Sequence, residues 1–174
     1  HPEQKMMVVL RQISDARQWV REQRATGRTL GLVPTMGALH EGHAALIRKA
    51  RDRGAAVVVS IYVNPTQFAP HEDFRQYPRD LDKDSVLCVR ESVDVGFAPA
   101  DAEIYPAPGG ANAADASTWV EEIQLTRRLE GERRPQHFRG VCTVVSKLFN
   151  IVQPDTALFG QKDYQQLKVV ERMV

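Results

Sequence analysis

The sequence predicts an α/β protein built on a doubly wound, mostly parallel sheet, and three observations predict it. Apolar, β-branched runs alternate along the chain with segments of 3.6-residue periodicity. The runs are apolar throughout rather than alternating, as strands covered on both faces are. The runs at 29–33, 55–63 and 156–159 each lead into glycine or polar residues, and sheets of this kind bind ligands beyond the carboxyl ends of their strands.

Met7-Val8-Val9-Leu10 is a short apolar opening. Ser14 is placed to cap a helix from Asp15 to about Arg24, with Trp19, Val20 and Gln23 on one mixed face and Gly27 as its stop. Thr29 to Val33 is a buried-type strand. The helix from Glu41 sets His43, Leu46, Ile47 and Ala50 at i, i+3, i+4 and i+7, and Gly54 ends it. Ala55 to Val63 is the strongest strand, long and β-branched. Asn64 to Tyr77 is a polar loop among Pro65, Pro70 and Pro78, long enough to point to function. Asp80 to about Glu91 is helical, with Leu81, Val86, Leu87 and Val89 inward, and Val93 to Phe97 is the next strand.

Tyr105 to Ser117 is a proline-, glycine- and alanine-rich connection. Ser117 to Ile123 is a candidate strand leaving the main sheet, and Arg127 to Pro135 is a charged loop. Phe138 to Val152 is a helix whose period is carried by Phe138, Val141, Val145, Leu148, Phe149 and Val152, with Pro154 closing it. Thr156 to Phe159 is a short strand. Gly160 to Asp163 then turns into a final helix with Tyr164, Leu167, Val170 and Val174 inward.

The 174 residues suit one domain, or one with a small appendage. A hydrophobic content of 43% supports a real core, and a net charge of +1 gives no global pull towards nucleic acid or membrane. No apolar stretch approaches ~18 residues, so no transmembrane helix is expected, and the N-terminus lacks a secretory core. His1 to Lys5 reads as leader residue from cloning, ahead of Met6 or Met7. Cys88 and Cys142 share no metal spacing and read as buried, reduced thiols of a cytosolic protein.

The junction Pro34-Thr35-Met36-Gly37-Ala38-Leu39-His40-Glu41-Gly42-His43 joins strand to helix. Such a junction points backbone N–H groups and a positive dipole end at one spot, which suits a phosphate. His40 and His43 lie on one face of a helix starting near His40 and can grip the same anion. An imidazole there donates a hydrogen bond or gains a proton as charge develops. The competing reading makes His43 a satisfied core histidine on the Leu46–Ile47–Ala50 stripe. A metal reading of the pair lacks further ligands.

Lys162 follows a strand-end glycine and begins a helix, so it adds a point charge to a polyphosphate. Asp163 is either an N-cap or an acceptor for a ribose hydroxyl, and Gln166 sits i+3 from it. Asn64 and Gln67 either position a hydroxylated, anionic substrate as neutral amides or order the loop. Asp82 and Asp84 either meet Mg²⁺ through water or form a solvated helix face. Arg134 and His137 are within reach of an anionic ligand. Arg127, Arg128, Arg133 and Arg134, diluted by Glu130 and Glu132, make a weak nucleic-acid patch. The chain has neither a P-loop motif nor a Gly-x-Ser-x-Gly elbow.

Five blocks then carry a resemblance: the Pro34–His43 junction, Val63-Asn64-Pro65-Thr66-Gln67-Phe68, Tyr77-Pro78-Arg79, His137-Phe138-Arg139-Gly140-Val141 and Phe159-Gly160-Gln161-Lys162-Asp163-Tyr164-Gln165-Gln166. In this order they resemble the pantoate–β-alanine ligase (pantothenate synthetase) family from Met7 onward. The resemblance implies a Rossmann-like nucleotidyltransferase fold with its His-x-x-His turn. It implies that pantoate attacks the α-phosphate of ATP to give pantoyl adenylate, and that β-alanine then displaces AMP. ATP is implied at Met36, Gly37, Ala38, Leu39, His40, Glu41, Gly42 and His43 and at Gly160, Gln161, Lys162 and Asp163. The resemblance assigns His43 as proton donor, and His40 and Lys162 join it as candidate catalytic residues. On the substrate side it implies Gln67 and Gln166, beside the candidates Asn64, Tyr77, Arg134 and His137. Mg²⁺, a cytoplasmic setting and a homodimer are implied as well, with Asp84 the residue-level candidate for the metal.

Members of the family continue into a smaller C-terminal domain behind a Ser-Ser-Arg-like loop, whereas this chain stops at Val174. The expectation is therefore an N-terminal ATP- and pantoate-binding domain, residues 6–174, that turns over poorly by itself. Three other readings remain: an adenylyltransferase acting on a phosphorylated substrate, a nucleic-acid-binding module using Arg127 to Arg134, and a non-catalytic fragment that only dimerises. The neutral amides Gln67 and Gln166 argue against the first, and the near-zero net charge argues against the second.

Overall fold

The computed structural model describes residues 6–107 and 113–174. His1 to Lys5 and the proline–glycine centre of the 105–117 connection lie outside the described residues. The sheet has five strands, all parallel, in the spatial order β1 (Val8–Leu10), β4 (Val95–Phe97), β3 (Ala56–Ile61), β2 (Leu30–Thr35) and β5 (Thr156–Ala157). The chain steps outward from β2 through β3 to β4, then returns to the other side of β2 to lay down β5. The direction of winding thus reverses between β2 and β5, and a crevice opens at their carboxyl ends.

Strand residues alternate between two cores. Leu30, Leu32, Ala56, Val58, Val95 and Phe97 face α1 (Ile13–Ala25), α6 (His137–Val152) and α7 (Tyr164–Met173). Val33, Val57 and Val59 face the other way, onto α2 (Glu41–Asp52) and α3 (Leu81–Arg90), with Ile47, Ala50 and Cys88. Both sides of the sheet are therefore apolar, which is why the strand sequences show no polar alternation. Short helices α4 (Asp101–Ile104) and α5 (Glu130–Arg133) fill connections. Helix α6 lies close on the turn Pro65–Gln67: a Cβ on Gly140 would stand 2.6 Å from the Thr66 carbonyl oxygen.

Several local expectations change. The opening Met7–Leu10 run supplies edge strand β1. Helix α1 begins at Ile13 behind Gln12, and Ser14 lies inside its first turn; the Ile13 N–H is met by Glu103 Oε2 at 2.9 Å. In α3 the inward stripe runs through Asp84 and Cys88, and Val86 is 70% exposed. In α7 the inward residues are Val169 and Val170, while Tyr164 and Val174 are exposed. Ser117 to Ile123 joins no strand; it runs beside α6, where Val120 N–H donates to Thr143 Oγ1 at 3.0 Å. The 127–135 loop contains α5, entered through Leu129 at φ +57°. Among the described residues no helix is long and apolar enough to cross a membrane.

Candidate functional site

Strand β2 ends at Thr35, and the chain reverses through Gly37 (φ +78°) and Ala38 (φ +51°) into α2. The reversal is held from below by α3. Asp84, 4% exposed, accepts Leu39 N–H on Oδ1 at 2.8 Å and Ala38 N–H on Oδ2 at 3.2 Å. Gly37 N–H donates to Thr35 Oγ1, whose own hydroxyl donates to the Ser60 carbonyl. A Cβ at Gly37 would stand 2.9 Å from Asp84 Oδ2, so both the left-handed φ and the close approach require glycine there. The expected cradle of free backbone amides is corrected: those of Gly37, Ala38 and Leu39 already have acceptors, and so do those of His40 and Gly42.

The last two acceptors are the imidazoles. His40 caps α2, its Nδ1 accepting Gly42 N–H at 3.0 Å, and His43 Nδ1 accepts His40 N–H at 3.2 Å. A backbone N–H can only donate, so each Nδ1 is an acceptor and each neutral ring carries its proton on Nε2. The rings lie 4.2 Å apart between centroids. Burial lowers the His43 pKa, His40 lowers it further, and Asp84 pulls the other way. With both Nδ1 atoms accepting, the pair presents its Nε2–H groups as donors. Gly42 makes room for it, since a Cβ there would stand 2.7 Å from His40 Cε1. Glu41 faces α3: its carboxylate meets Arg90 of that helix at 2.7 Å and Arg48 of α2 itself at 3.3 Å.

A cavity of about 440 Å³ occupies the crevice between the β2 and β5 ends. Of the expected site residues, Met36, Gly37, Ala38, His40, His43, Gln67, Tyr77, Lys162, Asp163 and Gln166 line it. Its apolar wall is Val141, Val144, Val145 and Leu148 of α6, with Phe159. Leu39, Glu41, Gly42, Gly160 and Gln161 frame the cavity without lining it; Leu39 packs on the α2–α3 core. A larger neighbour of about 570 Å³ shares Met36, Gly37 and Tyr62 but contains neither histidine nor Lys162. The smaller cavity is the one where donors and cation converge.

Asn64, Arg134 and His137 stand behind the cavity rather than in it. Asn64 is fully buried and its Nδ2 donates to Gln67 Oε1 at 3.0 Å. Arg134 Nη2 and His137 Nδ1 both reach the Gln67 carbonyl at 3.1 Å. The carbonyl accepts, so His137 carries its proton on Nδ1, the tautomer opposite to that of the cavity pair. Burial lowers the His137 pKa despite that bond. Arg134 Nε also pairs with Glu72 Oε1 at 2.8 Å, tying the 64–77 loop to the end of α5.

Both Asp84 oxygens hold backbone amides, and among the described residues no group of three or more His, Cys, Asp or Glu suits a metal ion. Two members of the arginine cluster are paired with carboxylates, Arg133 with Glu130 and Arg134 with Glu72. Cys88 and Cys142 are buried and free, and burial beside Asp84 pushes the Cys88 thiol up to about 12. Residue-by-residue reading missed Glu72, the Thr35 hydroxyl and Asp84 as turn holder. Only Asp84 left a signal, a carboxylate in step with Leu81 and Cys88.

Residues 8–174 match the family model described as pantoate-beta-alanine ligase. A pantothenate synthetase of Moorella thermoacetica is 55% identical over 168 residues, covering 97% of this chain and 57% of that protein. One of Thermotoga petrophila is 52% identical over 168 residues, with 97% and 58% covered. The crystal structure of the Thermus thermophilus pantothenate synthetase superposes with a TM-score of 0.85 at 47% identity, covering 97% of this chain and 57% of that one. The Francisella tularensis pantoate-beta-alanine ligase, complexed with beta-gamma ATP and beta-alanine, gives 0.86 at 38% identity, with 97% and 62% covered. The chain thus spans little more than half the length of the relatives it matches.

Proposed function

The chain belongs to the pantoate-beta-alanine ligase family, and from that premise we propose that it binds ATP and pantoate in the 440 Å³ cavity and activates the acid for condensation with β-alanine. One observation carries the reading. Residues from three strand tips meet in this one cavity: the histidine pair after β2, Gln67 after β3, and Lys162, Asp163 and Gln166 after β5. The ATP and β-alanine bound to the Francisella relative support the choice of ligands.

In the first step a pantoate carboxylate oxygen attacks the α-phosphorus as the bond to pyrophosphate breaks, leaving the mixed anhydride. Negative charge grows on the phosphate oxygens. The His40 and His43 Nε2–H groups donate to them, and Lys162 at the rim offsets the charge of the departing pyrophosphate. The donors are already fixed by their Nδ1 bonds, so they need little reorganisation as charge develops. Gln67 and Gln166 orient pantoate, and Asp163 accepts from a ribose hydroxyl. In the second step the β-alanine amine attacks the acyl carbon, the C–O bond breaks and AMP leaves. No protein nucleophile is required, and the thiols are buried. The Val141–Leu148 wall takes the methyl groups of pantoate and keeps water from the anhydride. The homodimer, the cytoplasmic setting and the magnesium requirement that the resemblance implies belong to the same proposal.

Isothermal titration of this chain with pantoate, with and without ATP and Mg²⁺, tests the reading. Pantoate binding that tightens in the presence of nucleotide is expected. Absence of binding by either ligand, or nucleotide binding indifferent to pantoate, would overturn it.

A further inference from the structure

We propose that Asn64 sets the hydrogen-bonding polarity of the acid subsite: it turns the Gln67 carboxamide so that Nε2 faces the cavity, and the site selects a carboxylate over the corresponding primary amide. The inference rests on the reading above for the identity of the acid, and on geometry alone for the polarity.

A buried carboxamide has two ends of similar shape, and its neighbours decide which is which. At one end of the Asn64 side chain the Gly140 carbonyl lies 3.1 Å away. A carbonyl can only accept, so that end is Nδ2. At the other end the Thr66 N–H approaches at 3.3 Å and can only donate, so that end is Oδ1. The Thr66 and Tyr105 hydroxyls complete the acceptor side at 2.9 and 3.0 Å. Main-chain groups of opposite character thus determine the orientation, and 0% exposure leaves no water to relax it. The same Nδ2 reaches Gln67 at 3.0 Å, which requires an acceptor there, namely Oε1.

Gln67 Oε1 is thus turned to Asn64, and the Gln67 backbone carbonyl is held by Arg134 and His137. Nε2 is then the end of the side chain left to the cavity that Gln67 lines. A ligand oxygen with lone pairs satisfies that donor. A carboxylate oxygen takes it in a charge-assisted bond, roughly twice as strong as the neutral bond that the C=O of a primary amide makes, and the amide's NH₂ then finds no acceptor in Gln67. Asn64 is therefore a positioning residue acting through Gln67, and its consequence is chemical selectivity.

The experiment titrates the chain with D-pantoate and with D-pantamide, its primary amide, in the wild type, Asn64→Asp and Gln67→Met. Wild type should favour pantoate by about tenfold or more. Gln67→Met removes the donor and should weaken pantoate clearly more than pantamide, narrowing the preference. Asn64→Asp meets Gln67 with an acceptor, turns Nε2 inward and should narrow the preference to within about threefold. Equal weakening of both ligands, the signature of a merely structural role, overturns the proposal, as does an unchanged preference in either variant.

Nuclear magnetic resonance of ¹⁵N-labelled wild type keeps the inference testable if Asn64→Asp fails to fold or if neither ligand binds. A strong cross-peak between the Asn64 and Gln67 NH₂ protons would put Oε1 towards the cavity and overturn the proposal. Its absence, with Asn64 NH₂ protons slow to exchange, supports it. Failure of wild type to bind either ligand would instead sink the functional reading.

Discussion

Gly42→Ala should separate ligand binding from stability. The added Cβ would stand 2.7 Å from His40 Cε1 and 2.9 Å from His40 Nδ1, so the imidazole must leave its place on the α2 N-terminus. Losing that cap costs roughly 0.5–2 kcal/mol. Replacing glycine by alanine inside a helix returns roughly 0.5–1 kcal/mol. The net change lies between a gain of about 0.5 and a loss of about 1.5 kcal/mol, a shift in melting temperature of about 6 °C or less for a chain of this size. The effect on phosphate is larger. A hydrogen bond to a charged group is worth about 1.5–3 kcal/mol, so ATP should bind about 10- to 100-fold more weakly. Isothermal titration with ATP and a thermal melt measure the two effects. A double-mutant cycle with His40→Ala adds a sharper condition: both changes act through one imidazole, so together they should lose little more than either alone. ATP affinity within about twofold of wild type, or full additivity in the cycle, would refute the argument.

Gly37→Ala should behave in the opposite way. A left-handed alanine costs about 1 kcal/mol, and its Cβ presses on the carboxylate that holds Ala38 and Leu39, for a total of roughly 2–4 kcal/mol and a melting point lower by about 5–15 °C. A drop under about 2 °C would show that the turn yields easily. His43→Ala should lower pantoate-dependent ATP–pyrophosphate exchange by at least ~10²-fold with the fold intact, and unchanged exchange would return His43 to the core reading. Gln67→Ala should raise the pantoate requirement more than the ATP requirement, and an effect confined to ATP would move Gln67 to the nucleotide side. Burial keeps the His43 and His137 imidazoles below their ordinary 6.5, so on acidification the unfolded chain takes up protons before the native one. The stability they contribute is present above pH 6.5 and is lost as pH falls through the lowered native values. A urea midpoint unchanged from neutral pH into the range below 6.5 would contradict this.

The strands were legible because both faces of this sheet are covered, so Thr29–Val33 and Ala55–Val63 read as largely apolar runs without polar alternation. The α6 period was legible because a helix packed across the sheet needs an apolar stripe of that spacing. Val86 was misread because an apolar residue is normally assigned inward, whereas here the carboxylate of Asp84 occupies the inward position and the valine lies off the stripe. Ser117 to Ile123 has strand-like composition but joins no ladder, and composition carries no information on partners.

For the site, the sequence by itself determined which chemistry was available: a histidine pair at a helix start, amides after the strongest strand, a lysine after the last. It also determined that these groups lie at strand ends, since local periodicity sets element boundaries. Only the tertiary structure decided what each group is free to do. Asp84 engages the turn amides, the capping bonds place the His40 and His43 protons on Nε2, and Gly140 and Thr66 orient Asn64 and through it Gln67. A hydrogen-bonding group's role depends on which partners it already has. Asp84 stands 45 residues along the chain from Leu39, and Gly140 stands 76 from Asn64, so only folding brings such partners together.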